Sequence, residues 1–351
     1  MSGNVDLDDL VFFNQHLASI IRTKLPLPEG LSVIARDTQN EELRRALGEM
    51  QEDMNAGHSL SEALERRDGT FPDLYASMVK AGEESGDLPG ILAELSAYSQ
   101  ARWKLERKVR VALIYPALIG VFILFYVPFL GAFVLPKVSK IYQSTERSLP
   151  FMTRLFIACK DVLSSPWSVL FLLGIPLLWV LYRLLCRSRL AKEFMDRWLL
   201  SIPLFGTLAK QAELWRFNRT LGILLNAGVS LVRSLKLVRA TSQNQVISSA
   251  IDRIQQKVSS GEGFGDQCKE VGVFPETMTW KISMGEQQGT LEQTLMELAD
   301  YYDLEVRLTS RKIQSLVGPA LLIVLSVVVA LVLVSIYQPI FMFSDSVGLP
   351  Y

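Results

Sequence analysis

Ala81-Gly82-Glu83-Glu84-Ser85-Gly86-Asp87-Leu88 returns later in the chain as Met284-Gly285-Glu286-Gln287-Gln288-Gly289-Thr290-Leu291. Each copy has a Phe-Pro pair upstream, Phe71-Pro72 and Phe274-Pro275, and a helical run, a basic cluster and a long apolar stretch downstream. Working outward, the halves align continuously. At an offset of 204, Leu10, Phe13, Leu17, Ile20, Leu31 and Ile34 meet Leu214, Phe217, Leu221, Leu224, Leu235 and Val238. The apolar spacing of three and four is that of an amphipathic helix. One deletion changes the offset to 203, at which Gly82 meets Gly285, Gly86 meets Gly289, Tyr98 meets Tyr301 and Pro116 meets Pro319. Each repeat therefore reads as a soluble all-helical domain of about 100 residues followed by one membrane helix.

Helix boundaries are readable inside the repeats. Asn55-Ala56-Gly57-His58-Ser59 and Ser259-Ser260-Gly261-Glu262-Gly263 interrupt helical runs. Ser59 with Glu62 has the spacing of a capping box. Proline suits the first turn of a helix, so Phe71-Pro72 and Phe274-Pro275 mark helix starts. Gly82 and Gly86, with Gly285 and Gly289, are expected to break the helix and turn it into a hairpin. No segment alternates as a strand does.

The chain has 351 residues and a mean hydropathy of +0.24 with 21% charged residues, so charge and apolar surface lie in separate segments. Val111–Leu135, Val162–Tyr182 and Ile313–Ser344 contain no charged side chain over 25, 21 and 32 residues. A helix needs roughly 20 apolar residues to cross a bilayer, and membrane helices tolerate prolines such as Pro116, Pro128 and Pro176. Three spans are predicted. Met1–Asp9 carries three aspartates and no apolar core, unlike a secretory signal. Cys159, Cys186 and Cys268 are scattered and suggest neither a disulfide framework nor a metal site.

Basic residues fix the topology. Arg102, Lys104, Arg107, Lys108 and Arg110 precede the first span, Arg183, Arg187, Arg189, Lys192 and Arg197 follow the second, and Arg307, Arg311 and Lys312 precede the third. The positive-inside rule places both repeats in the cytoplasm and the C-terminus outside. Lys137, Lys140, Arg147, Arg154 and Lys160 in the first connection run against that rule. Val162–Tyr182 has no repeat counterpart, and is the helix that returns the chain to the cytoplasmic side. The prediction is an all-α membrane protein with two homologous cytoplasmic helical-bundle domains and three transmembrane helices. Its parts are residues 1–110 (first domain), 111–135 (span), 136–161 (external connection), 162–182 (span), 183–312 (junction and second domain), 313–344 (region of the third span) and 345–351 (external tail).

The first domain is strongly acidic: residues 1–100 hold 8 Lys and Arg against 18 Asp and Glu. Such a surface repels nucleic acid and suits a basic protein partner, or is simply well solvated. No Walker loop is present, His16 and His58 lack ligand-spaced partners, and no span carries an ionisable group near its centre. These features argue against an enzyme, a cofactor protein or an ion-coupled transporter. A small-solute permease is the runner-up, supported only by Pro116 and Pro128. A receptor or membrane enzyme would require an outer ligand domain or a catalytic set. Among polar residues, Glu83, Glu84 and Asp87, echoed by Glu286, form the candidate site. They suit a basic loop of a partner or a cation, or they solvate a turn shaped by its glycines.

Gly-Glu-x-x-Gly-x-Leu twice over, Phe-Pro upstream of each, and the three spans resemble the F-domain family of type II secretion and type IV pilus inner-membrane platform proteins. Ile202-Pro203-Leu204-Phe205-Gly206, Leu224-Leu225-Asn226-Ala227-Gly228-Val229-Ser230-Leu231 and Leu149-Pro150-Phe151-Met152-Thr153 are similar to further motifs of that family. The first repeat departs from it at Arg22-Thr23-Lys24-Leu25-Pro26-Leu27. The resemblance covers roughly residues 10–340. It implies two six-helix bundles on a non-enzymatic platform of the bacterial inner membrane, without cofactors and working as a homo-oligomer. Its implied partners are a cytoplasmic hexameric assembly ATPase, pilin or pseudopilin subunits and other inner-membrane assembly proteins. Phe71, Pro72, Gly82, Gly86, Phe274, Pro275, Gly285 and Gly289 would be its structural motif residues.

Overall fold

The computed structural model describes residues 5–23, 25–67, 69–143 and 204–346. The predicted second span, the connection beyond Gln143, the junction up to 203 and residues 347–351 lie outside the described residues, as do Cys159 and Cys186. The described residues form helices and no strand. The first repeat comprises α1 (Leu7–Arg22), α2 (Leu27–Asp37), α3 (Glu41–Asn55), α4 (Leu60–Glu65), α5 (Asp73–Ser85) and α6 (Leu88–Gln143). The second comprises α7 (Phe205–Asn226), α8 (Leu231–Thr241), α9 (Gln245–Ser259), α10 (Phe264–Glu270), α11 (Glu276–Gln288) and α12 (Leu291–Ser346).

The repeat is a structural one. Helices α2, α3 and α4 start 204 residues before α8, α9 and α10, whereas α5 and α6 start 203 before α11 and α12. The deletion therefore falls in the connection between the short fourth helix and the fifth. Equivalent helices also start by equivalent means. The Asn40 side chain accepts the N–H groups of Glu42 (2.9 Å) and Leu43 (3.2 Å), and that of Asn244 accepts those of Val246 (2.9 Å) and Ile247 (3.3 Å). These satisfy donors that have no intrahelical acceptor. Ser59 and Glu62 form the expected capping box.

Leu10, Phe13 and Leu17 of α1 are buried, as are Leu214, Phe217 and Leu221 of α7. Phe13 meets Phe71 with ring centroids 5.1 Å apart, and Phe217 meets Phe274 at 5.0 Å. The Phe of each Phe-Pro pair thus locks the fifth helix onto the first. The adjoining proline is the N-cap of α5 and of α11, one position before the first turn where the sequence placed it. Beside this cluster the repeats diverge. Buried Asn14 donates to Tyr75 (2.8 Å) and Ser99 (2.6 Å), whereas Asn218 donates to the Leu214 carbonyl at 2.7 Å. Met278 and Tyr302 stand where Tyr75 and Ser99 stand. Burial pushes the Tyr75 hydroxyl up to about 12.

The two repeats belong to one compact unit, which runs through Val109 in the first and through Thr309 in the second. Polar contacts join α5 and α6 of the first repeat to α7 and α8 of the second. Tyr98 Oη lies 3.1 Å from Thr220 Oγ1, Asn226 Nδ2 donates to Glu94 at 3.1 Å, and Arg233 donates to Ser77 Oγ at 3.4 Å. Lys108 pairs with Asp303 of α12 at 2.7 Å.

Arg110–Lys192 and Ser310–Tyr351 belong to a second unit. Helices α6 and α12 run without interruption through the predicted first and third apolar stretches. Among the described residues one helical stretch, Leu291–Val327, is long and apolar enough to cross a membrane by length and composition.

Candidate functional site: the glycine–glutamate hairpins

Each quoted motif lies at the turn between the fifth and sixth helices of its repeat. Helix α5 ends where Gly86 takes φ +77°, and α11 where Gly289 takes φ +70°. A side chain is strained in this left-handed region, and glycine is not. Gly82 and Gly285 do not break their helices, contrary to the expectation from sequence. They lie inside α5 and α11 and admit the next helix. A Cβ on Gly82 would sit 3.1 Å from Ile91 Cβ, and one on Gly285 would sit 2.4 Å from Thr294 Oγ1. Ile91 and Thr294 are repeat equivalents, so both glycines serve the same helix crossing.

The glutamate after that glycine has a definite role in the fold. Glu83 reaches α4, where its carboxylate accepts the Ser61 backbone N–H at 3.2 Å and the Ser61 hydroxyl at 2.5 Å. Glu286 reaches α10 and accepts the backbone N–H groups of Phe264 and Gly265, both at 2.7 Å. A helix N-terminus concentrates unpaired N–H groups and partial positive charge, and a carboxylate satisfies both. Glu83 and Glu286 are thus long-range caps that tie the fifth helix to the fourth. The sequence placed these residues together but could not reveal the recipient amides, which lie about twenty residues upstream across two turns.

Asp87 caps α6 through Gly90 N–H at 2.9 Å. Glu84 and Asp87 are exposed, while Glu83 and Glu286 are half-buried. In the second repeat Gln287 and Thr290 replace Glu84 and Asp87, so the exposed acidic edge is confined to the first. No cluster of three or more His, Cys, Asp or Glu suited to a metal ion occurs among the described residues. Cys268 is a buried free thiol whose pKa is pushed up by burial and then by the Glu286 charge.

Residues 13–136 and 217–339 each match the family model described as "Type II secretion system (T2SS), protein F". The chain belongs to the type II secretion protein F family. Each match takes in the motif hairpin of its repeat and most of its long sixth helix. The chain is 30% identical over 336 residues to a type IV pilus assembly protein PilC of Thermus thermophilus, covering 95% of this chain and 82% of the relative. Identity is 28% to PilC of Pseudomonas aeruginosa, over 97% of this chain and 91% of the relative. It is 29% to the type II secretion system protein F of the same organism, over 97% and 84%. Pilus and secretion relatives are thus about equally similar to this chain.

Proposed function

We propose that the chain is a non-enzymatic inner-membrane platform of a type II secretion or type IV pilus assembly machine. It couples a cytoplasmic assembly ATPase to the insertion of pilin-like subunits into a filament. The observation that carries this reading is the match of both repeats, over most of the chain, to proteins named for those two machines. Three spans, a cytoplasmic N-terminus and an external C-terminus complete the arrangement, on the charge asymmetry of the flanking segments.

The chain itself supplies no fuel chemistry. Motion driven by ATP elsewhere is transmitted by packed helices, which have few discrete arrangements and move as bodies. Helices α6 and α12 suit that role because each runs from its hairpin into an apolar stretch without a break. Glu84 and Asp87 offer a basic partner surface an acidic edge in the first repeat, joined by the lone pairs that the cap leaves free on Glu83, and Glu286 offers a single carboxylate at the equivalent place in the second. The solute-permease alternative gains no support from the relatives.

Deletion of the gene tests the proposal. The filament or secreted substrate should disappear while pilin-like subunits and the ATPase accumulate normally, with the subunits retained in the inner membrane. Normal filament output together with lost uptake of a small solute would favour the permease.

A further inference from the structure

The two repeats are joined head to tail. The edge formed by α5 and α6 is used in the first repeat, and the edge formed by α7 and α8 is used in the second. Each repeat carries both kinds of edge, so one of each remains unused: that of α1 and α2 in the first repeat, and that of α11 and α12 in the second, where α12 meets the first repeat only from another face, through Asp303 and Lys108. Burial of equivalent residues shows the consequence. Tyr98 and Leu105 are each 1% exposed, whereas Tyr301 and Leu308 are 52% and 40% exposed. Ser77, beneath Arg233, has as its equivalent Trp280, which is 61% exposed. Leu304 and Met284 extend the same exposed apolar face. On the opposite edge Leu25 and Val33 are exposed, while their equivalents Val229 and Leu237 are buried.

We propose that the open α11–α12 edge binds the α1–α2 edge of a second copy of this chain, repeating between chains the contact made within one. The inference does not rest on the proposed function. Moving the three contacts of α5 and α6 with α7 and α8 by the repeat offset yields chemically matched partners. Glu94 and Asn226 become Glu297 and Arg22, an ion pair between two exposed residues. Tyr98 and Thr220 become Tyr301 and His16, a hydroxyl facing an imidazole. Ser77 and Arg233 become Trp280 and Glu29, an indole N–H donor facing a carboxylate acceptor. Such a contact is heterologous, with different surfaces on the two partners, and it builds a ring where successive rotations close. Large exposed apolar residues on both unused edges fit a surface covered by another chain.

The test uses the full-length protein in lipid nanodiscs, with Cys159 and Cys186 replaced by serine. Two differently tagged populations are co-expressed, one carrying Arg22→Cys and the other Glu297→Cys. Oxidation should give a disulfide-linked species bearing both tags, a bond that can form only between chains. Independently, Glu297→Arg should reduce the associated fraction about tenfold, and adding Arg22→Glu should restore it, as for an interfacial charge pair. Tyr301→Ser should weaken association in the same direction without unfolding the exposed edge. Absence of the mixed-tag species from folded protein, an oligomer mass unaffected by Glu297→Arg, or failure of the double exchange to restore it would each overturn the proposal. Protection of a labelled Glu297→Cys only when a cytoplasmic partner is added would also overturn it, and would assign the edge to that partner.

Discussion

The Glu286 carboxylate holds the Phe264 backbone N–H at 2.7 Å, joining the last turn of α11 to the first turn of α10. Glu83 makes the equivalent link to Ser61 in the first repeat. Replacement of Glu286 by alanine strands donors at the α10 N-terminus and should cost about 0.5–2 kcal/mol, the range for loss of a helix cap. Hydrogen exchange at Phe264 and Gly265 should accelerate selectively, with α9 unchanged. Uniform protection across α10 would show that the carboxylate is dispensable.

Glu84 gives the contrasting case. It is exposed, and charge reversal there should leave thermal stability within about 0.5 kcal/mol, as for most surface substitutions. Under the platform reading, Glu84→Lys with Asp87→Asn should nevertheless reduce co-purification of the assembly ATPase. Glu83→Lys should reduce both stability and binding. Equal stability losses for Glu83→Lys and Glu84→Lys would erase this distinction.

The two motif glycines of each repeat should fail differently. Gly285→Ala forces a Cβ into Thr294 and should destabilise by about 1–3 kcal/mol, as overpacking does. Thr294→Ala should recover part of that loss. Gly82→Ala, facing Ile91 at 3.1 Å, should be milder. At Gly289 no neighbour interferes, and the obstacle is its φ of +70°. Asparagine should therefore be tolerated better than alanine there, because it enters the left-handed region more readily. Chemical denaturation of these five variants distinguishes the mechanisms.

Glu94 lies between the repeats, and burial raises its pKa, opposed by the Asn226 hydrogen bond and by the Arg219 charge. A raised carboxylate favours the folded state most when protonated. This stabilising contribution is complete below the ordinary glutamate value and is lost as pH rises through the elevated folded value. Glu94→Gln keeps an oxygen for Asn226 and cannot ionise. It should raise the melting temperature slightly at pH 7, and that gain over the parent protein should shrink as pH falls below the raised value. A gain that grows towards acid pH would contradict this sign.

The helices and their repeat were open to reading because local signals specify them. Ser59 and Glu62, the two Phe-Pro pairs and the 3,4-spaced Leu10, Phe13 and Leu17 act within a turn or two, and a second copy repeats most of them. Gly82 reads as a break, since a helix-interior glycine that admits a neighbour looks the same in sequence as one that ends a helix. The caps made by Glu83 and Glu286 were hidden because their recipients are backbone amides, which any residue supplies. The contact between repeats was hidden for another reason. Tyr98 and Tyr301 are the same residue type in the same motif, yet one is covered by Thr220 and the other is exposed.

The most direct test of the platform account is a mild-detergent pull-down of the tagged full-length protein from its native membranes, after crosslinking, with partners identified by mass spectrometry. The account predicts recovery of a hexameric secretion or pilus ATPase together with pilin-like subunits. Recovery of solute-binding proteins with no ATPase would contradict it.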